Sequence, residues 1–378
     1  MLQEVVEVIR QGDEGGNGMI VRIPFPSGLE IIGMATKNFY GGDWDFGPTW
    51  NYVVRADKSF LLDTGRDGMG PKLLDMMEFS GISIRDLDFL VLSHGHEDHD
   101  GGLCHVAKST GAPVKAHRIY EALIRFHPAK APGDVRKDFP ASCWHCFMPE
   151  SFSNQHCLEY HRGRNELEIE AIGDGKCELS EAIQTYHVPG HSPDALALLV
   201  GEEAILVGDT VLPEITPFPT REAFFHQVSG VLPSEYASPD CVYGLRAYIR
   251  SLKKLEGMGE QFPDALVLPA HRLFHSRHWN EIDLRARISE IIDHHILRCA
   301  EILHILKRGP RNAREIAIEH FSASSLKGAG MLMAENEVIS HCELLAVAGD
   351  IRPAEGERFV ATGSANVEST IRSLVQSR

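Results

Sequence analysis

The most constraining feature of this chain is a polar run of ten residues, SHGHEDHDGG, that directly follows a short apolar strand predicted over residues 87–92. Three histidines and one aspartate lie inside this run, in a stretch of only six residues. Alternate residues of an extended segment point the same way, so His94 and His96 can converge on one ion. Asp98 and His99 follow where the chain turns, and they can face a second ion.

Four further polar residues each follow a predicted strand. They are Asp63 after strand 59–62, His191 after strand 183–188, Asp209 after strand 204–207, and His271 after strand 265–268. Strand ends are where an α/β scaffold gathers the residues of a site. Imidazole and carboxylate groups suit Zn²⁺, Fe²⁺ or Mn²⁺. The sequence therefore predicts a metal site at one edge of a sheet.

In the order of these five motifs the chain resembles the metallo-β-lactamase superfamily, from about residue 18 to residue 275. The resemblance implies an αββα sandwich that binds two divalent metal ions, Zn²⁺ first and Fe or Mn as alternatives. The site residues that it implies are His94, His96 and His191 for the first metal, Asp98, His99 and His271 for the second, Asp209 as the bridging carboxylate, and Asp63 as a carboxylate that orients ligands.

Three positions bear on the branch of the superfamily. The oxygen-reducing diiron branch carries a carboxylate where this chain has His96, which argues against that branch. True β-lactamases typically carry Cys where this chain has Asp209, which argues against that assignment as well. Ala270 departs from the Gly that many relatives have before the last histidine, which makes His271 the least secure ligand. The segment 211–217 resembles a glyoxalase-II-like branch that has a winged-helix-like domain after its last metal ligand.

The chain is expected to have two domains. Residues 1–280 would form the catalytic sandwich, with a long insertion of irregular pattern at about 118–165. Residues 281–378 would form a winged-helix-like domain, since three helical patterns are followed by two short apolar runs around a turn. These patterns cover 284–306, 312–320 and 335–347, with the hairpin over 351–360.

The resemblance also implies a reaction. A hydroxide that bridges the two metals would attack a carbonyl carbon or a phosphorus, and Asp98 would orient this nucleophile and accept its proton. We expect hydrolysis of a thioester or another carboxyl ester. A metal-dependent phosphodiesterase or endoribonuclease is the first alternative, and a non-catalytic binding protein on the same fold is the second.

Composition indicates the class of partner. The chain has 37 basic and 53 acidic side chains and a net charge of −16, which favours a small-molecule substrate over a nucleic acid. The basic cluster Lys307, Arg308, Arg311 and Arg314 keeps nucleic acid as an alternative. No apolar stretch approaches the ~18 residues of a membrane span. Eight cysteines and the lack of a secretory signal predict a cytoplasmic protein, and a homodimer is left open.

A second cluster lies in the predicted insertion. Cys143, Cys146, Cys157 and His161 have the spacing of a small structural zinc site. A redox pair of Cys143 and Cys146 and simple burial of the thiols are the alternatives. His117 and His187 lie near the metal motifs without ligand spacing, and we expect them to support the site or to belong to the core.

Overall fold

Two β-sheets that pack face to face form the centre of the protein. The computed structural model describes residues 2–38, 45–126, 155–328 and 330–374. The larger sheet has eight strands whose order in space is their order in the chain. They are β1 (Glu7–Arg10), β2 (Ile20–Pro24), β3 (Glu30–Thr36), β4 (Thr49–Arg55), β5 (Ser59–Leu62), β6 (Phe89–Val91), β7 (Val114–His117) and β8 (Ile169–Ile172).

The smaller sheet has five strands. They are β9 (Gly175–Ser180), β10 (Ile183–His187), β11 (Leu196–Val200), β12 (Ala204–Gly208) and β13 (Leu266–Pro269), in the spatial order β13-β12-β11-β10-β9. Its strands are antiparallel except for the parallel pair β12 and β13. In the larger sheet β1 to β5 are antiparallel and β5 to β8 are parallel. Two further hairpins are β14 (Phe274–His275) with β15 (His278–Trp279), and β16 (Ile351–Ala354) with β17 (Arg358–Ala361).

The described residues also contain the following α-helices: α1 (Leu2–Val5), α2 (Gly70–Phe79), α3 (Glu97–Asp100), α4 (Leu103–Thr110), α5 (Arg118–Arg125), α6 (Gln155–Asn165), α7 (Phe225–Val228), α8 (Gly244–Gln261), α9 (Leu284–Leu306), α10 (Ala313–His320), α11 (Gly330–Val347) and α12 (Val367–Ser373). None of the helices in these residues is long and apolar enough to cross a membrane.

Both faces of the inner strands are covered, which is why β3, β11 and β12 read as nearly continuous apolar runs. In β3, Ile31 points into the core between the sheets, whereas its neighbour Ile32 points outward against α2 and α4. In β11, Leu198 points inward and Leu199 points outward against α8. Helices therefore form the outer layers, and the expected αββα sandwich is confirmed.

The C-terminal helical region begins where the side chain of Asp283 caps α9 by accepting a hydrogen bond from the Ala286 amide at 3.0 Å. A capping box between Asn312 and Glu315 starts α10. The order α9, α10, α11 and hairpin matches the three predicted helices and the predicted hairpin, and α12 is a further helix that was not predicted. Its apolar side chains join one core with α8 and the outer face of the smaller sheet. The winged-helix classification and the boundary at residue 280 stay predictions.

The region expected to be an irregular insertion is helical at both ends. Its first residues form α5 and its last residues form α6, while 127–154 lie outside the described residues. The strands β4 and β5 form a hairpin in which Arg55 lies opposite Ser59.

Candidate metal centre

The seven residues with implied ligand roles lie together at one edge of the sandwich. They reach it from the ends of β6, β10, β12 and β13, because each strand stops where its motif begins. Three overlapping groups each bring one ligand atom per residue within 4.8 Å of the others. These groups are His94, His96 and His191, then His94, His99 and Asp209, and then Asp98, His99 and His271.

The first group consists of histidine rings in edge contact. The ring centroids of His94 and His96 are 4.5 Å apart, and those of His96 and His191 are 4.6 Å apart. His94 is buried, whereas His96 is half-buried. The site therefore opens to solvent on the side of His96.

Asp209 lies between the two groups. Its Oδ2 atom is 3.4 Å from the Nε2 atoms of His191, His99 and His271. Its Oδ1 atom is buried and has no hydrogen-bond partner in the part of the chain that the structure describes. Histidines of the first group and of the Asp98, His99 and His271 group thus surround one oxygen of this carboxylate. Asp209 is therefore placed to contact two ions.

The Nδ1 atoms of four histidines are held by fixed acceptors, which sets the tautomer of each ring. These acceptors are Ser93 Oγ at 3.0 Å for His94, Asp63 Oδ2 at 2.9 Å for His99, the Phe218 carbonyl at 2.8 Å for His191, and the Pro48 carbonyl at 3.1 Å for His271. The Nε2 lone pair of each ring is then left to face the centre. Ligating histidines usually donate their other ring N–H in this way.

The buried, unpaired ring atoms test whether metal ions fit this site. Among the described residues, Nε2 of His94, His99 and His191 has no hydrogen-bond partner. Orphaned buried polar atoms are rare and need an explanation such as an absent ion. Neutral imidazole and carboxylate donors are also the ligands of Zn²⁺ and its neighbours. The residues present therefore fit divalent metal ions.

Asp63 holds residues of the centre in place through hydrogen bonds to Ser93 and His99. It accepts hydrogen bonds from the Ser93 amide at 2.7 Å, the Ser93 hydroxyl at 2.6 Å and His99 Nδ1 at 2.9 Å. Its φ angle of 62° lies in the left-handed region, where Asp and Asn are the commonest non-glycine residues. This backbone conformation turns the chain after β5 and aims the carboxylate at the metal motif.

Charge coupling is strong because the groups share a buried site. Burial opposes protonation of His271, but Asp209 and Asp98 raise its pKa to about 9. Burial also opposes ionisation of Asp98, yet His99 and His271 hold the pKa of that carboxyl well below its usual value. Burial and the neighbouring His99 lower the pKa of His94. The carboxylates Asp209 and Asp98 therefore favour positive charge at the second group, which is the sign of charge that a divalent ion brings.

Sequence reasoning missed Asn38, which follows β3. Its side-chain amide donates to Asp98 Oδ2 at 2.8 Å. A single asparagine between apolar strands gives no motif, so only its position in space reveals this contact. Asn38 fixes one oxygen of the carboxylate to which we assigned the proton-accepting role.

A buried network around Asp100 was also missed. The Asp100 carboxylate accepts from Tyr120 at 2.8 Å, from Arg164 at 3.0 Å and from Tyr160. Tyr120 lies on α5, and the other two residues lie on α6. The network thereby joins the two ends of the predicted insertion to the helix that carries Asp98 and His99.

The predicted structural zinc site cannot be assembled from the described residues. Cys143 and Cys146 lie outside them, as does the side chain of Cys157. The remaining member, His161, is buried, and Arg164 Nη2 lies 2.9 Å from its Nδ1. This site stays a prediction.

His117 and His187 form a separate pair. Their rings stack with centroids 3.9 Å apart, and the Tyr236 hydroxyl lies 3.2 Å from His117 Nε2 and 3.5 Å from His187 Nδ1. His187 Nε2 contacts the Pro193 carbonyl at 2.8 Å. Because Pro193 follows His191 by two residues, the pair buttresses a metal-motif loop.

The C-terminal helical region contacts the segment that follows Asp209. Glu343 on α11 accepts from the backbone amides of Glu222 at 2.8 Å and Ala223 at 3.1 Å. Two residues earlier in that segment, the Thr220 amide donates to the Gly190 carbonyl at 2.7 Å. Through this segment α11 is tied to the loop that presents His191.

The profile of the metallo-beta-lactamase superfamily matches residues 44–271. This match covers more than half of the chain, so the protein belongs to the metallo-beta-lactamase superfamily. Its members are generally metal-dependent hydrolases that use divalent ions. The resemblance inferred from the motifs is thereby confirmed at the level of the superfamily.

Two solved structures share the fold. A metallo-beta-lactamase family protein from Thermus thermophilus aligns with a TM-score of 0.61 and 18% identity, covering 96% of this chain and 100% of that one. A beta-lactamase domain protein from Burkholderia ambifaria aligns with a TM-score of 0.62 and 17% identity, covering 93% and 96%. At this identity the likeness shows the fold alone, and its coverage extends into the C-terminal helices.

An uncharacterized protein of Methanocaldococcus jannaschii is a sequence relative. It is 28% identical over 86 residues, which are 22% of this chain and 21% of that protein. The match thus spans about a fifth of the relative's own length.

Proposed function

We propose that this protein is a dinuclear metal-dependent hydrolase that acts on a thioester or another carboxyl ester. One observation carries the proposal: seven ligand-type side chains converge at the sandwich edge, and the tautomers of four histidines leave their Nε2 atoms facing the centre. The ligands that we propose are those implied by the motifs, with Asp209 between the two ions. Zn²⁺ is the ion that we propose for both positions.

Two bound divalent ions would lower the pKa of a water from about 15.7 toward about 7 and would polarise the attacked carbonyl. Asp98 would orient that water and accept its proton. Asn38 donates a hydrogen bond to Oδ2 of this carboxylate at 2.8 Å, and Nε2 of His271 lies 3.2 Å from the same oxygen. Its side chain is 13% exposed at the opening of the site, so a substrate can reach it.

The charge distribution supports a small substrate over a polyanion. The basic cluster of the C-terminal region is largely neutralised by its neighbours. Arg308 and Arg311 contact Glu319 at 2.6 and 2.7 Å, and Arg314 contacts Glu335 at 2.8 Å. A nucleic acid would have to displace these carboxylates on a protein of net charge −16.

We also assign the chain to the glyoxalase-II-like branch, with residues 281–378 as a winged-helix-like region beside the site. The order of helices and hairpin supports this assignment, as does the contact of Glu343 with the segment after Asp209.

The test is a substrate panel at low salt. It contains acyl thioesters, aryl esters, lactones, a phosphodiester and a short RNA, each assayed with purified protein whose metal content is measured. His191→Ala should lose the first metal and turnover together. The matched control is His304→Ala, which removes an exposed histidine of α9 and should keep both.

Turnover of the carboxyl compounds alone, lost in His191→Ala, supports the proposal. Cleavage of the phosphodiester or the RNA with the carboxyl compounds untouched would replace it with the phosphodiesterase or endoribonuclease alternative. Metal binding without turnover of any compound would leave the non-catalytic binding protein as the better description.

A further inference from the structure

A second cluster of ligand-type side chains lies far along the chain from the sandwich edge, between α9 and α11. One ligand atom from each of His294, His295 and Glu337 lies within 4.8 Å of the others. His295 is fully buried and Glu337 is 6% exposed, whereas His294 is half-buried. We call these three residues the helical His–Glu cluster. Buried groups of this kind are costly unless a partner satisfies them.

The hydrogen bonds around His295 set its tautomer. His341 Nδ1 donates to the Glu337 carbonyl at 2.7 Å, so its Nε2 must accept. That atom is 3.0 Å from His295 Nδ1, which therefore carries the proton. His295 Nε2 is left with a bare lone pair, and it has no hydrogen-bond partner within the described ranges.

This is the arrangement in which a histidine binds a metal, with one ring N–H donated to a fixed acceptor and the other nitrogen free. The rings are also in the neutral form that ligation requires. Burial lowers the pKa of His341 to about 3, and burial together with the neighbouring His341 lowers the pKa of His295 well below its ordinary value. Burial likewise lowers the pKa of His294.

The Glu337 carboxylate is incompletely compensated. Burial raises its pKa, and its nearest cation, Arg298, lies 3.6 Å away from Nη1 to Oε1. That distance is longer than a hydrogen bond. The Nε and Nη1 atoms of Arg298 are themselves buried without a hydrogen-bond partner among the residues described. A divalent cation would supply the missing positive charge.

We propose that the helical His–Glu cluster binds one divalent metal ion, separate from those of the sandwich edge. Two imidazoles and a carboxylate are a donor set that takes Zn²⁺. Ligand distances of about 2.0–2.2 Å place tetrahedral donors roughly 3.4 Å apart, so modest side-chain rotations would close the cluster. The half-buried His294 gives solvent access for the ion and for a water as fourth ligand.

Such an ion would connect α9 and α11, and it would also be linked to the sandwich through Tyr248. The ring of Tyr248 packs edge-on against His295 with centroids 5.7 Å apart. The Tyr248 hydroxyl donates to the carbonyl of Thr210, the residue after Asp209, at 2.8 Å. The ion would thus fix a ring that supports the segment of the bridging carboxylate.

The experiment counts bound metal. Protein stripped with chelator is dialysed to equilibrium against Zn²⁺, and zinc per chain is measured by mass spectrometry. His294→Ala and Glu337→Gln should each bind one ion fewer per chain than the wild type. His304→Ala, on an exposed face of the same helix, should bind as many as the wild type. Circular dichroism must show that each variant is folded.

An unchanged zinc count in folded His294→Ala and Glu337→Gln would overturn the proposal and leave water as the partner of His295 Nε2. The result does not depend on the proposed hydrolysis. Loss of an ion in His191→Ala, measured in parallel, reports on the sandwich edge alone, so the two proposals fail separately.

Discussion

Asp63 shows how the backbone conformation of a single residue positions a side chain at the candidate metal centre. Its left-handed φ angle of 62° aims a carboxylate at Ser93 and His99, and three hydrogen bonds converge on it. An ordinary side chain would resist this conformation, whereas Asp and Asn tolerate it. Substitution by Asn therefore changes the chemistry of the side chain and leaves the backbone alone.

We expect Asp63→Asn to fold and to bind metal about 10–100-fold more weakly. The amide can still accept from the Ser93 amide, but its NH₂ group would face the N–H of His99, which loses its acceptor. Isothermal titration of the stripped protein with Zn²⁺ measures the affinity. Glu202→Asn is the control, because Glu202 also has a positive φ of 58° and is exposed. Equal affinities in both variants would show that Asp63 does not orient His99.

Between elements, the important contact joins α11 to the segment after Asp209. Glu343 accepts two backbone amides at the start of a short 3-10 helix, Glu222–Phe224. Burial raises the pKa of Glu343 to about 7, against the opposing effect of these two amides. Its folded-state pKa thus exceeds the ordinary value of about 4.3.

The sign of the resulting pH dependence follows from proton binding. Between about pH 4.3 and 7 the folded protein holds a proton on Glu343 that the unfolded chain has released, so this group's contribution to stability falls as pH rises through that window. Glu343→Gln should reduce this fall in the free energy of unfolding by up to about 4 kcal/mol. Urea unfolding at a series of pH values measures this. If the two proteins follow parallel curves, Glu343 is ionised normally.

At the scale of the whole molecule, the sandwich and the C-terminal helices share one apolar core. Side chains of β11 and β12 pack in the same cluster as those of α8, α9 and α11. Two units joined in this way should unfold together, because exposing the helices would also expose the outer face of the smaller sheet. The boundary predicted near residue 280 would then mark a change of architecture within one cooperative unit.

Leu306→Ala tests this cooperativity. Leu306 is 1% exposed in the shared core, so we expect a loss of about 2–5 kcal/mol. All four tryptophans precede residue 280, and their fluorescence reports on the sandwich side alone. The midpoint of fluorescence-detected unfolding should fall in Leu306→Ala. The free energy of unfolding of Leu297→Ala should stay within about 0.5 kcal/mol of the wild-type value, since Leu297 is 59% exposed on the same helix. A fluorescence midpoint of Leu306→Ala equal to that of the wild type would show that the sandwich and the C-terminal helices unfold as two independent units.

Local patterns decided what could be predicted. The strand-end motifs around His94 and His191 reveal themselves because strand, turn and ligand are adjacent in sequence. The helix α9 was recognisable from its periodicity, and its ends match the prediction. Asn38 and Asp100 were missed because their partners, Asp98 and Arg164, depend on the folded arrangement.

The helical His–Glu cluster illustrates the same limit at longer range. His294 and His295 lie together in the sequence, but Glu337 is on another helix and carries no motif. The tautomer that frees His295 Nε2 depends on His341, one turn beyond Glu337. Such sites become visible only when two helices are packed.

The order of the ligands along the chain has a consequence for biosynthesis. His94 and His271, the first and last of the proposed ligands, are 177 residues apart. A ribosome working at about 5–20 residues per second therefore makes the last one roughly 9–35 s after the first. Throughout that interval the nascent chain carries imidazoles without a finished site. A metal ion at the sandwich edge would therefore be selected by the completed, folded protein rather than by the chain during its synthesis.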